Sequence, residues 1–306
     1  MKTPTNQAIT LGHWLKAARL KFLPQGVMPI FLAGAIAYSE DIFKPLYFVI
    51  ALLAAAAVQI GLTMFNDMLD FAYGTDQQKI ETKNPFSGGS GVLTSGTITL
   101  KQVIGAIFFL CLFAMAGAIY LTIEVGIELL WIAIPGAVIA IFYSAKPFRF
   151  AYRGLGELMM FLGYGLVLTT WGYFVHSTQL SYEILLIGAI PGFLMWTMIL
   201  INEIPDWEED RAAGKKNIVY RIGPKNTKNL FIASLASVYI YIAALISLGV
   251  IPLYCALAFL GLPLALKAST MANKHYLAPM KVIPANRFMV FIYSLTMTTI
   301  TIGFLI

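Results

Sequence analysis

Long apolar runs alternate with short polar stretches along this chain. Nine runs stand out, roughly at 22–39, 46–66, 102–123, 127–144, 155–175, 184–203, 229–247, 250–268 and 287–306. Most approach the ~20 residues that a helix needs to cross the hydrocarbon core of a bilayer. None carries the two-residue alternation of a barrel strand, and an open strand edge in lipid leaves its backbone unsatisfied, so helices are the spanning structure this pattern allows. The pattern predicts an all-α integral membrane protein, with nine transmembrane helices in one bundle around a central cavity open to the cytoplasmic side, and residues 1–306 as a single unit. Composition agrees. The chain is 59% hydrophobic and 12% charged with mean hydropathy +0.77, where a soluble domain carries about 25% charged residues. Met1 to Lys21 is polar and basic, unlike a cleavable signal peptide.

The polar gaps sort by charge. When they alternate across nine helices, the side holding the N-terminus collects all 21 lysines and arginines except Lys44. A wrong helix count would scramble this separation, and the positive excess puts that side in the cytoplasm and the C-terminus outside. The net charge of +6 is accordingly a topology signal, and no nucleic-acid partner is expected. Only Glu40, Asp41, Glu124, Glu128 and Glu183 of the acidic residues fall opposite, so any chemistry faces the cytoplasm. Cys111 and Cys255 lie inside apolar runs and imply neither a disulfide nor a metal knuckle. His13, His176 and His275 are scattered and read as surface residues. Pro135-Gly136 and Pro191-Gly192 interrupt the fourth and sixth runs, at places where a kink either opens a cavity or adjusts packing.

Two acidic clusters echo each other. Asn66-Asp67-Met68-Leu69-Asp70 ends the second run and Asn202-Glu203-Ile204-Pro205-Asp206 ends the sixth, with Asp76 following the first and Asp210 the second. Residues four apart share a helix face, which aligns Asn66 with Asp70 and, if Pro205 leaves the turn intact, Asn202 with Asp206; Asp206 and Asp210 repeat the spacing. Each cluster alone reads equally well as a solvated helix end. Converging in one cavity, the carboxylates repel unless a cation joins them. Hard oxygen donors without His or Cys favour Mg²⁺, which completes its shell with water and substrate phosphates.

A diphosphate also needs cationic donors, and the same face offers Lys16, Arg19 and Lys21, then Lys146, Arg149 and Arg153, then Arg211, Lys215 and Lys216. Each also serves topology. Tyr143 and Lys146 lie at the membrane edge, within reach of the interior. Ser87-Gly88-Gly89-Ser90-Gly91 offers backbone amides for an anion nest.

These residues together resemble the UbiA superfamily of intramembrane prenyltransferases, whose members have nine helices, an NDxxD motif after the second and a DxxxD motif after the sixth. Within it the chain is most similar to the 1,4-dihydroxy-2-naphthoate polyprenyltransferases, through NDMLDFAYGTD, GGSGVLTSGTIT, YRGLGEL and DWEEDRAAGKKNIVYRIG. It differs at Asn84-Pro85-Phe86 and at Pro205, positions near which that branch usually carries an Arg. The resemblance implies two Mg²⁺ ions held by Asn66, Asp70, Asp206 and Asp210 against an allylic diphosphate, with Asn202 and the basic residues above as diphosphate contacts. It implies an aromatic acceptor oriented or deprotonated by Asp67 or Asp76, with Tyr143 and Lys146 as further catalytic groups. Phe142, Tyr143, Tyr164, Trp171 and Trp196 are candidate walls for an allylic cation. The rival readings are prenyl transfer to another acceptor, terpene cyclisation, and a cation-coupled transporter, since intramembrane carboxylates also mark ion paths.

Overall fold

The computed structural model describes residues 9–74 and 89–306; Asp76, Ser87, Gly88 and Asn84-Pro85-Phe86 lie outside the described residues. Every regular element among the described residues is helical. A short α1 (Leu11–Ala18) ends at Arg19, whose left-handed φ of 45° turns the chain into a 3-10 turn and α2 (Leu23–Ser39). Next come α3 (Pro45–Ala72), α4 (Leu100–Val125) and α5 (Glu128–Phe142). Thr99 and Gln102 cap α4 reciprocally: the Thr99 N–H donates to Gln102 Oε1 at 2.9 Å and the Gln102 N–H to Thr99 Oγ1 at 3.4 Å. The fifth apolar run is a composite of α6 (Gly156–Met160), a π-helical turn (Phe161–Val167) and α7 (Leu168–Ser177). The chain closes with α8 (Tyr182–Ala212), α9 (Ile218–Ser247), a 3-10 stretch (Leu253–Gly261), α10 (Leu262–His275) and α11 (Pro279–Leu305).

Eight of these stretches are long and apolar enough to cross a membrane. The ninth, α5, is equally apolar but has 15 residues, which at 1.5 Å per residue reach only ~22 Å. The polar stretches 205–228 and 269–286 are largely helical, because α8 runs on to Ala212, α9 begins at Ile218, and α10 and α11 extend toward each other. A helix leaving lipid keeps its backbone bonds in water, so a change in polarity need not end it.

Burial ranks the helices. In the most apolar window of α8, 72% of residues are buried inside the protein, against 11% in α4. The main core joins α2, α8, α9, α10 and α11 around Leu194, Ile201, Phe231, Met289 and Tyr293, and a second core joins α2, α3, α4, α5 and α7 around Ile30, Ala51, Leu121, Leu129 and Trp171. The outward face of α4 and α5 exposes Phe108, Phe109, Ile123 and Trp131. So large an apolar surface marks a lipid face, and the chain is a multi-pass membrane protein.

Both Pro-Gly pairs serve close packing against the π turn. A Cβ on Gly192 would stand 2.8 Å from the Phe161 carbonyl oxygen, and one on Gly136 3.0 Å from Val167 Cγ1. Gly165, within the turn, comes closer still, since its Cβ would lie 2.5 Å from Gly192 Cα. His176 is buried, not at the surface: its ring lies 5.2 Å from that of Phe43, and its Nδ1 accepts the Lys44 backbone N–H at 3.2 Å.

Candidate active site

The two acidic clusters meet. Both lie within helices, in the last turns of α3 and α8, and Pro205 sits inside α8 without ending it. Asn66, Asp70, Asn202, Asp206 and Asp210 all line one cavity of about 210 Å³. Its lining also includes Leu62, Met195, Met198 and Ile199, the rings of Tyr143 and Tyr164, and the polar side chains of Gln25, Gln59 and Thr63. Asp67 does not line it. One residue on from Asn66 is a rotation of ~100°, and its carboxylate accepts Arg19 Nη1 at 3.0 Å and the Ser90 backbone N–H at 2.7 Å, in a site only 6% exposed. The Ser90 amide, a candidate for an anion nest, is thereby committed to a side chain.

Of the nine candidate cations only Arg19 and Lys215 line the cavity. Lys215 Nζ lies 2.7 Å from Asp210 Oδ1. Burial works against its charged form, but the carboxylates of Asp210 and Asp70 outweigh that, and its pKa stands above the ordinary lysine value. Arg149 packs behind the wall, its guanidinium 3.5 Å from the ring centre of Tyr152 and 4.6 Å from that of Tyr73. Lys16, Lys146, Arg153, Arg211 and Lys216 are exposed, and so is Lys21, which lies over the Phe22 ring. Arg153 donates to the Pro147 carbonyl at 2.9 Å. Of the candidate wall residues, Tyr143 and Tyr164 face the cavity, while Trp171 belongs to the second core, Trp196 packs on the main core and Phe142 meets Phe148 edge to face.

Over residues 27–295 the chain matches the UbiA prenyltransferase family. It belongs to that family. Among curated proteins it is similar to 2-carboxy-1,4-naphthoquinone phytyltransferase of Synechocystis sp., 26% identical over 289 residues covering 91% of this chain and 88% of that protein. It is also similar to 1,4-dihydroxy-2-naphthoate octaprenyltransferase of Bacillus subtilis, 25% identical over 248 residues covering 80% and 77%. Among solved structures it shares the fold of a UbiA homolog from Aeropyrum pernix K1, at TM-score 0.69 and 18% identity over 97% of this chain and 98% of that one. A UbiA homolog from Archaeoglobus fulgidus bound to GPP and Mg²⁺ aligns at TM-score 0.57 and 15% identity over 94% and 99%.

The donor set of this UbiA-family cavity suits a hard cation. Asn66 Oδ1 is buried without a hydrogen-bond partner, a carbonyl oxygen awaiting a donor or a metal, and it shares the cavity with Asp70, Asp206 and Asp210. No three His, Cys, Asp or Glu side chains among the described residues gather closely enough to cage a metal by themselves. Mg²⁺ would need only one or two of these carboxylates, with its remaining oxygens coming from water and phosphate.

Several residues in or behind the cavity wall were not singled out by the sequence pattern. Gln59 accepts the Tyr164 hydroxyl at 2.9 Å; its signal is an amide inside an otherwise apolar run. Asn217 caps α9 by accepting the Tyr220 N–H at 3.1 Å and donates Nδ2 to Asp210 at 2.9 Å, tying the start of α9 to the second cluster. Glu157, within YRGLGEL, is 1% exposed, and nothing in its local sequence announces what it meets.

Proposed function

We propose that this UbiA-family prenyltransferase carries out Mg²⁺-dependent transfer of a prenyl group from an allylic polyprenyl diphosphate to an aromatic quinone precursor of the 1,4-dihydroxy-2-naphthoate type. The observation that carries the reading is the convergence of Asp70, Asp206 and Asp210 with Arg19 and Lys215 in one cavity that is also lined by Leu62, Met195, Met198, Tyr143 and Tyr164. Relatives named for naphthoate and naphthoquinone prenylation, and a structural neighbour described with GPP and Mg²⁺, support donor, acceptor class and metal. In this reading Asn66, Asp70, Asp206 and Asp210 hold Mg²⁺. The bound metal would supply positive charge against the diphosphate oxygens as the allylic C–O bond breaks.

The chain's own residues do the rest. Arg19, fixed by Asp67, points its guanidinium at the diphosphate. Lys215, shared with Asp210 before substrate arrives, adds a second fixed cation where negative charge grows on the leaving group. Tyr143 and Tyr164 supply aromatic rings to the cavity that would hold the allylic carbon, and Leu62, Met195 and Met198 exclude the water that would quench it. Nine spans, with N-terminus and cavity on the cytoplasmic side of the cell membrane and the C-terminus outside, complete the proposal, because the basic residues then lie on one face. No observation favours a transporter. The test is incubation of purified protein in nanodiscs with prenyl diphosphates, dihydroxynaphthoate and Mg²⁺, with products identified by mass. Prenylated naphthol from wild type and its loss in Asp70→Ala and Asp206→Ala are expected; full diphosphate release by either variant would overturn the reading.

A further inference from the structure

From Arg211 to Ile306 the chain contains no aspartate or glutamate, while lysines and arginines recur. The helices built from this segment, α9, α10 and α11, therefore have no acidic side chain of their own to answer a buried cation. One of their cations is buried. Lys228 is 9% exposed and sits on α9 shortly after the break at Gly223, where a φ of 77° followed by Pro224 restarts the helix. Its Nζ donates to Asn273 Oδ1 on α10 at 2.8 Å and lies 5.2 Å from the ring centre of Tyr276, the residue that closes α10. No carboxylate pairs with it among the described residues.

This arrangement leaves a charge unanswered. An ammonium has three N–H donors; Asn273 takes one, and neither an amide oxygen nor a ring face carries a full negative charge. Withdrawing a cation from water is costly unless an anion stands beside it. Topology does not account for the burial, because the positive-inside rule asks only for basic residues on one side of the membrane, and the exposed Lys225 and Lys274 beside this seam already serve it. Depth then limits what the anion can be. Lys228 immediately precedes the apolar run 229–247, and a helical side chain leans toward the N-terminus of its helix, so the stem climbs out of the apolar zone toward Tyr276. An aromatic ring and a lysine head at a span's edge mark the headgroup level. The seam also opens outward, for only 33% of the most apolar window is buried inside the protein in α9 and likewise in the span that ends with α10. The fixed anion at that depth on a lipid-facing surface is a phospholipid phosphate.

We propose that the seam between α9 and α10 binds the phosphate of an anionic phospholipid headgroup, with Lys228 as its buried contact, Asn273 Nδ2 as a neutral donor, and Lys225 and Lys274 as outer cations. Basic pockets between transmembrane helices suit such headgroups, and each lysine near the surface adds to the attraction. A zwitterionic headgroup brings its own cation and gains less, so the seam selects for net negative charge. The site is separate from the catalytic cavity, which none of these four residues lines.

The test is a titration of the full chain in mild detergent with phosphatidylglycerol or with phosphatidylcholine of the same acyl chains, counting bound lipids by native mass spectrometry. Wild type should hold one phosphatidylglycerol about fivefold or more tightly than phosphatidylcholine. Lys228→Met and Lys228→Gln should bring the two lipids within about twofold. Lys101→Met, which removes an exposed charge at the start of α4, should keep the wild-type preference. The double variant Lys225→Gln, Lys274→Gln leaves the tie to Asn273 in place and should lower the preference without abolishing it; where neither Lys228 variant folds, an unchanged preference in this double variant overturns the proposal. Full preference in a folded Lys228 variant overturns it, as does its loss in Lys101→Met, which would make the effect one of net charge. Displacement of the bound lipid by inorganic phosphate in the same concentration range overturns the lipid assignment by making the bare anion the ligand.

Discussion

Replacing Asp67 by asparagine keeps the side chain's shape and removes one charge, which separates a residue that holds the site from one that binds metal. Asp67 and Arg19 meet at 3.0 Å with side chains 8% and 11% exposed. At that distance their Coulomb attraction is about 5.5 kcal/mol for an effective dielectric of ~20. Desolvation of both groups takes back part of it, so a coupling of ~2–3 kcal/mol between the two side chains is expected. The amide oxygen introduced by Asp67→Asn would still accept the Ser90 N–H, leaving the backbone contact in place. The assay is a double-mutant cycle of wild type, Asp67→Asn, Arg19→Gln and the double variant, read by thermal unfolding and by diphosphate release at varied Mg²⁺. Asp67→Asn should raise the KM for prenyl diphosphate by about tenfold, or ~1.4 kcal/mol, because Arg19 loses its anchor. Its Mg²⁺ requirement should stay put. A coupling below ~0.5 kcal/mol, or a Mg²⁺ requirement that climbs with the substitution, would refute this reasoning and make Asp67 a ligand.

Three further outcomes follow from the geometry. Arg19→Ala and Lys215→Ala should each raise the KM for prenyl diphosphate by about tenfold or more, while Lys16→Ala, Lys146→Ala and Arg153→Ala, exposed and outside the cavity, should change it by less than about threefold, as exposed charges contribute little. Gly165→Ala should cost ~1–3 kcal/mol of stability, because its Cβ meets Gly192 Cα at 2.5 Å and the Gly188 carbonyl at 2.7 Å; Gly105→Ala, with nothing within 4 Å, is the silent control in the same thermal melt. Lys215 has a raised pKa, so its stabilising contribution is complete below the ordinary lysine value of 10.5 and is lost only as pH climbs through the higher folded value. The Tm difference between wild type and Lys215→Met should therefore be flat from about pH 6 to 9, and a difference that halves across that range would contradict the assignment.

Apolar run length and the repeated Asn-acid-x-x-Asp pattern were enough to read an all-helical membrane protein and two carboxylate clusters suited to a hard cation. These are local properties: a helix period and a hydrocarbon thickness act over one turn or one span, and they leave their mark within the segment that obeys them. Helix ends were less legible, since α3 and α8 carry their acids past the apolar run on an unbroken backbone. The rest depended on which faces meet. Asn66 and Asp67 are adjacent and equally polar, yet only packing against α1 decides that Asp67 is spent on Arg19 while Asn66 faces the cavity. Nine cations stand in the segments around the two clusters, and the fold alone turns Arg19 and Lys215 inward. Lys228 and Asn273 belong to different helices, and neither segment hints at the other. A buried group's role is set by the donors and charges around it, and those come from elements distant in the chain, brought together only when the bundle closes.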